Sequence, residues 1–343
     1  MEDEVDPNIT FDEFGVCSYC HEYEKNEKQR KIDVSQLPWI IHQIKKDGAG
    51  KKYDVILGLS GGVDSSTCLH YLLQHGVRPF CFSIDNGWNE PLADQNIMNL
   101  VETAKVRFYR YTIDKVKFFE LQKALIMSGV KNLEAATDHI LMAATYEMAK
   151  EYDIKWVIGG GNLATESTMP VAWGHNARDL TFLKDVYKKH IGKKLTGLPL
   201  ISLPTYLKRR FVDGIKIVNL LDYYTFNKEE AKRTLKEIYG WKAYSSKHGE
   251  SKFTKWFQDT YLPQRFGIDK RRAHLSSLIM SKQITRDQAL EELSILVTEV
   301  PTSYIEKKLG MKIPLTESDA SHLDYKNSEE IWNSLSKLYR SWK

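Results

Sequence analysis

Seven consecutive residues carry the clearest chemical signal in the chain: Ser60, Gly61, Gly62, Val63, Asp64, Ser65 and Ser66. Residues 54–59, apolar and bounded by charge before and glycine after, read as a short buried strand, and residues 64–74 carry apolar side chains at helical spacing. A loop between strand and helix aims several backbone N–H groups and a helix N-terminus at one point, which suits a bound phosphate. Gly61 and Gly62 let the backbone approach a ligand closely and take dihedrals closed to other residues. The lysine of GxxxxGKS/T is missing, and Gly58, Gly61 and Gly62 do not fit GxGxxG, so neither of those phosphate loops is present. Asp64 adds a requirement, because a carboxylate beside several phosphate charges is costly unless a cation intervenes. Mg²⁺ between Asp64 and the phosphates meets it, since Mg²⁺ is commonly held by one or two carboxylates and substrate phosphates. Glu166 is a second candidate ligand, and a helix-capping role for Asp64 is compatible with both.

Six of these positions resemble the SGGxDS signature of the PP-loop ATP pyrophosphatases, which split ATP into AMP and pyrophosphate to activate a carbonyl, amide or nucleobase oxygen. The resemblance implies ATP and Mg²⁺ as the ligands of residues 60–66.

The surrounding pattern supplies a frame for such a loop. Strands are expected at 54–59, 78–84, 107–112 and 154–159, and helices at 64–75, 91–104, within 115–127 and at 135–152. Alternation of this kind predicts an α/β fold, a doubly wound parallel sheet with helices on both faces. Ligands in such sheets sit beyond the carboxyl ends of the strands. Three strand ends are therefore candidates for one crevice: the loop itself, Asp85-Asn86-Gly87, and Gly159-Gly160-Gly161-Asn162 with Glu166 just beyond. Asp85, Asn86, Gly159, Gly160, Gly161 and Asn162 join the nucleotide-binding set on this reasoning. The first trio is also a good turn former, and the glycines could serve as a loose strand exit. Asp138 and His139 could likewise be a polar pair on a helix surface. The expected domains are an N-terminal CxxC segment with a helix (1–50), a PP-loop core (51–165) and a substrate-facing, mostly helical region (166–343).

Cys17 and Cys20 form a CxxC, half of the four ligands a tetrahedral zinc needs. They are the candidates for Zn²⁺, against the alternative of two reduced surface cysteines; Cys68 and Cys81 read as packing residues. Lys247, His248, Glu250, Ser251, Arg265, Lys270, Arg271, Arg272 and His274 crowd aromatic residues between Trp241 and Phe266. Such a cluster is a solvated face or a lid whose cations neutralise pyrophosphate. Helices are expected at 228–239, 285–298 and 326–341.

Composition narrows the class. The 343 residues are 42% hydrophobic and 27% charged, with a net charge of +4, which supports a globular core and argues against a dedicated nucleic-acid binder. No apolar run reaches membrane-spanning length, and the acidic start is unlike a signal peptide, so the expected location is cytoplasmic.

Beyond the loop, DPNITFDEFGVCSYC, DNGWN, IGGGNLATES, SKHGESKFTKWFQ and LPQRFGIDKRRAHLSSLI together resemble the N-acetyl sugar amidotransferases of bacterial surface-polysaccharide biosynthesis, over about residues 6–310. That resemblance implies conversion of a sugar N-acetyl group to an acetamidino group, with ATP giving AMP and pyrophosphate, in the making of lipopolysaccharide O-antigen or related glycans. It implies an N-acetylated, nucleotide-linked sugar as acceptor. It also implies a glutamine amidotransferase partner, with glutaminase and cyclase-like subunits akin to imidazole glycerol phosphate synthase, as ammonia source. The chain itself shows no cysteine in glutaminase-type surroundings. The family commonly carries an earlier CxxC that has no counterpart before Asp6 here, and this weakens the zinc reading. Candidate catalytic residues are Asp64, Glu166, Lys247 and His248, with Glu166 or His248 as the base that deprotonates ammonium. Two other classes fit the loop: a tRNA-modifying PP-loop enzyme, thiolase or lysidine-type, and a non-catalytic ATP-binding subunit.

Overall fold

The computed structural model describes residue 6 and residues 8–30, 34–244, 249–295, 300–315 and 324–341, without the side chains of residues 26–30, 171 and 336–341. Lys247 and His248 lie outside the described residues.

Helices α1 (Ser18–Arg30) and α2 (Leu37–Asp47) lead into β1 (Val55–Gly58), α3 (Val63–Gln74), β2 (Pro79–Asp85), α4 (Pro91–Ala104), β3 (Arg107–Thr112), α5 (Lys115–Ser128), α6 (Ala135–Glu151) and β4 (Trp156–Gly159). Then follow α7 (Leu163–Glu166), α8 (Leu180–Ile191), α9 (Leu203–Leu207), β5 (Lys216–Asn219) and α10 (Lys228–Tyr239). The remainder is helical: α11 (Lys252–Trp256), α12 (Leu262–Phe266), α13 (Lys270–Met280), α14 (Arg286–Ser294), α15 (Thr302–Leu309) and α16 (Glu329–Ser341).

The five strands form one parallel sheet in the order β3-β2-β1-β4-β5. This is the α/β, doubly wound PP-loop arrangement that the alternation predicts. Position in the sheet explains composition. The inner strand β1 is buried along Val55, Ile56 and Leu57, whereas the edge strand β3 alternates between half-buried and exposed residues. The order reverses between β1 and β4, and at such a switch point the loops leave in opposite directions and open a crevice. β5 pairs Lys216–Asn219 with Trp156–Gly159, so the sheet draws its outer strand from beyond residue 165.

Local signals set the helix ends. Asp114, Asn227 and Asp269 cap α5, α10 and α13 by accepting backbone N–H bonds, and Thr285 with Gln288 forms a capping box on α14. One apolar cluster joins α2, α3, β1, β4, β5 and α10, a second packs α6 on the opposite face, and a third unites α5, α6 and α8 with the C-terminal helices through Trp256, Phe257, Tyr261 and Ile305. Among the described residues no helix is long and apolar enough to cross a membrane.

Candidate active site

A cleft of about 600 Å³ opens at the carboxyl ends of the strands. Ser60 lines one wall; Phe82, Ser83 and Asn86 line the next; Glu134, Asp138 and Glu166 form its acidic side; and Glu250, Ser251, Thr254, Gln258, Lys270 and His274 arrive from the C-terminal region.

The loop is built to leave backbone donors open. Gly62 caps α3 in extended conformation with no side-chain acceptor for the first-turn N–H groups, so that helix end presents partial positive charge. Ser60 Oγ and Ser65 Oγ lie 3.2 Å apart, and Ser66 Oγ donates to Gly62 O at 2.7 Å, which ties the turn to the helix. Gly61 is a glycine of necessity: its φ is +83°, and a Cβ there would lie 2.6 Å from Ala93 O. Val63 and Asp64 open α3, and an oxygen of the Asp64 carboxylate is buried.

The glycine run after β4 faces this loop. A Cβ on Gly160 would come 3.7 Å from Ser65 N, and one on Gly159 would collide with Asn219 Oδ1 at 2.3 Å. Gly161 sits beside Glu166 Oε2. Asn162 caps α7 through Oδ1, which accepts from Thr165 N at 2.9 Å, while its buried Nδ2 has no partner among the described residues. At the end of β2, Asn86 lines the cleft, whereas Asp85 is held by Lys115 Nζ at 2.8 Å and accepts from Gly87 N at 3.1 Å. Asp85 therefore acts as a turn and ion-pair residue in this structure, and the ligand-facing position belongs to its neighbour.

Two further acids lie in the cleft: Glu134, which sequence reasoning missed, and Asp138, which it left open as a helix-surface residue. Glu134 Oε2 accepts from Thr254 Oγ1 at 3.2 Å, while its buried Oε1 has no partner among the described residues. Burial, reinforced by Asp138 and Glu250 and opposed by Lys270 and the Thr254 hydrogen bond, pushes the Glu134 carboxyl up to about 8. Asp138 is one turn further along α6 and rises to about 6 by burial among protein atoms, although part of its surface opens to the cleft. Burial pulls the Lys270 ammonium down, against the upward pull of Glu134, Asp138 and Glu166. Buried Ser83 Oγ is a further cleft atom with no hydrogen-bond partner among the described residues. Unsatisfied buried polar atoms gathered around one cavity are what a polar ligand would complete.

His139 is not a surface residue. It is fully buried, accepts Ile201 N–H at Nε2 (3.2 Å) and donates from Nδ1 to Ala177 O (2.7 Å), a structural tether between α6 and the following lobe. The basic run also divides. Lys270 and His274 share one face of α13 and reach the cleft. Arg271 instead pairs with Asp269 at 2.7 Å, and Arg265 donates to Pro314 O at 2.6 Å.

At the N-terminus, Cys17 and Cys20 have sulfur atoms 3.5 Å apart, and His21 is bound to Asp12 at 2.8 Å. Burial pushes the Cys20 thiol up to about 11, and the pair supplies two of the four donors that a tetrahedral zinc takes. Among the described residues no three His, Cys, Asp or Glu side chains gather as a metal site. The donor set at Cys17 and Cys20 does not fit zinc. One carboxylate, Asp64, beside a phosphate loop does fit Mg²⁺, whose remaining positions substrate phosphates and water can fill.

Residues 34–205, just over half of the chain, match the NAD synthase family, and residues 250–339 match the C-terminal domain of WbpG-like LPS biosynthesis proteins. The chain belongs to the NAD synthase family, of PP-loop ATP pyrophosphatase type, and the shorter match supports the resemblance to the N-acetyl sugar amidotransferases. It is an enzyme of the ATP pyrophosphatase type. Nothing among the curated proteins matches it. Similar solved structures include an NH3-dependent NAD synthetase from Campylobacter jejuni (15% identity, TM-score 0.33, 78% of this chain and 100% of that one). Others are the NMN synthetase of Francisella tularensis (14%, 0.31, 81% and 98%) and the U34-tRNA thiolase NcsA of Methanococcus maripaludis (13%, 0.35, 76% and 84%).

Proposed function

We propose that this enzyme is an N-acetyl sugar amidotransferase of lipopolysaccharide biosynthesis: it adenylates the amide oxygen of a sugar N-acetyl group and adds ammonia, giving an acetamidino sugar, AMP and pyrophosphate. One observation carries the reading. The region similar to WbpG-like proteins sends Glu250, Thr254, Lys270 and His274 into the same cleft that Ser60 of the phosphate loop lines.

An acetamide is a poor electrophile because its resonance must be broken and hydroxide leaves badly. In the first step the amide oxygen attacks the α-phosphorus of ATP, the bond to the β-phosphate oxygen breaks, and pyrophosphate departs. In the second, ammonia adds to the activated carbon and the C–O bond to AMP breaks, leaving the amidine. The loop from Ser60 to Ser66 serves both steps by holding phosphates in line through backbone donors. Asp64 would hold Mg²⁺, which supplies neutralisation of phosphate charge when bound. Asn86 and the glycines at 159–161 would border the nucleoside, with Asn162 offering an amide donor beside them. Incoming ammonium must lose a proton before it can attack, and an acceptor with affinity near neutral pH does this best. Glu134 and Asp138 have that affinity and line the cleft. Glu166, one of the two candidate bases read from sequence with His248, lines the cleft beside them. Lys270 would balance pyrophosphate or the developing phosphate charge. Ammonia would come from a separate glutaminase partner.

Pure protein incubated with ATP, Mg²⁺, ammonium and an N-acetylated nucleotide sugar is the direct test. Sugar-dependent pyrophosphate release, with a product mass showing oxygen replaced by NH, is expected. Pyrophosphate release that ignores the sugar and responds to tRNA would overturn the reading.

A further inference from the structure

The carbonyl of Gly61 takes two hydrogen bonds from outside its own loop. Trp241 Nε1 donates to it at 2.8 Å and Tyr244 Oη at 2.9 Å, both from the segment that follows α10. A trans peptide is planar, with its C=O and N–H on opposite sides. Holding the Gly61 carbonyl toward Trp241 and Tyr244 therefore turns the Gly62 N–H the other way, where it donates to Ser60 Oγ at 3.2 Å on the cleft side of the loop.

The two donors are themselves fixed. Asn96 on α4 is fully buried and grips the segment reciprocally: its Nδ2 donates to Lys242 O and its Oδ1 accepts from Lys242 N, both at 2.9 Å. The same Nδ2 reaches Tyr244 Oη at 3.2 Å. A chain runs from amide to phenol to carbonyl, in which each donor polarises the next. Burial pushes the Tyr244 phenol up, so the hydroxyl stays a donor at neutral pH. Trp241 is 2% exposed, which leaves its indole N–H no solvent alternative. At φ +83° Gly61 has no side chain to set the direction of this peptide, so its two donors set it.

We propose that Trp241, Tyr244 and Asn96 are positioning residues that preset the Gly61–Gly62 peptide with its N–H toward the phosphates, so that the C-terminal half tunes the affinity of the ATP loop. An incoming phosphate oxygen takes over the N–H from Ser60 Oγ. Without the two donors the peptide can turn its carbonyl oxygen toward the anion and repel it. The inference rests on the reading of residues 60–66 as the ATP phosphate site.

Calorimetric titration of the intact protein with Mg-ATP, pyrophosphate and adenosine separates the possibilities, using wild type, Tyr244→Phe and Trp241→Phe. Tyr244→Phe keeps the ring and loses one donor; ATP and pyrophosphate are expected to bind about fivefold more weakly, the equivalent of one hydrogen bond. Adenosine affinity stays unchanged, and Tm stays within about 2 °C. Trp241→Phe acts in the same direction, and if it fails to fold, Tyr244→Phe decides alone. Equal affinity of wild type and Tyr244→Phe for pyrophosphate and ATP overturns the inference. So does a loss for adenosine that parallels the loss for pyrophosphate, because that reports general loosening. A wild-type protein that binds neither ATP nor pyrophosphate sinks the phosphate-site reading, and the inference with it.

Discussion

The two walls of the cleft are made of different material. The loop side, from Ser60 through Gly61 and Gly62 to the uncapped start of α3, offers mainly backbone. The wall completed by residues 250–274, facing Glu134 and Asp138, meets it with charged side chains whose proton affinities depend on one another. Backbone recognition suits the constant part of a reaction, the polyphosphate. A mixed-charge wall suits the variable part, because side chains can be exchanged without reshaping the chain. Asp64, at the start of α3, is the acid on the loop side that is proposed to hold Mg²⁺.

Three experiments probe this division. Asp64→Ala should have the largest effect, lowering pyrophosphate release about 10²–10³-fold. Near-normal release at saturating Mg²⁺ would show that the backbone wall works without its carboxylate. Glu134→Gln tests the other wall through pH. Its carboxyl rises from 4.5 to about 8 in the fold, so the native state holds the proton more tightly than the unfolded chain. The resulting stabilisation is complete below 4.5 and is lost as pH rises through about 8. Glu134→Gln should therefore melt with wild type at low pH and about 2–4 °C above it at pH 9, while ammonia-dependent turnover falls about 10²-fold. A melting difference that does not widen with pH would mean that Glu134 is not held protonated. The smallest effect belongs to neither wall: Cys17→Ser combined with Cys20→Ser should keep turnover within about twofold. Stoichiometric zinc in the purified wild type, lost in the double variant, would reopen the metal reading.

What could be read in advance follows the same line. The loop, the helix at Pro91–Ala104, the strand at Arg107–Thr112 and the helix at Lys228–Tyr239 are local patterns, and they stand within a residue or so of expectation. Helix α8 left a signal that went unused: Asp179 as its cap, apolar residues at 180, 183, 186 and 187, and Gly192 at its end. β5 was obscured because an edge strand beginning with lysine, with three of its four residues exposed, reads as a connection. Glu134 was missed, and Asp138 left open between helix surface and site, for a deeper reason. Polar residues in the first turn of a helix look alike whether they face water or a cleft, and only the arrival of Lys270 and Thr254 from more than a hundred residues away makes the difference. Lys270 was hidden inside a basic run, although its helical phase with His274 separates it from Arg271.

The parallel pairing of β5 with β4 also bears on how the protein is made. Gly159 at the end of β4 packs against Asn219, and the Gly61 peptide waits for Trp241 and Tyr244. A ribosome that has released only the segment matching NAD synthase has emitted every residue of the phosphate loop and neither of these supports. Long-range pairings of this kind form late. Chains arrested near residue 205 are therefore expected not to retain ATP on a nucleotide column, and capture should begin only once residues 216–244 have emerged.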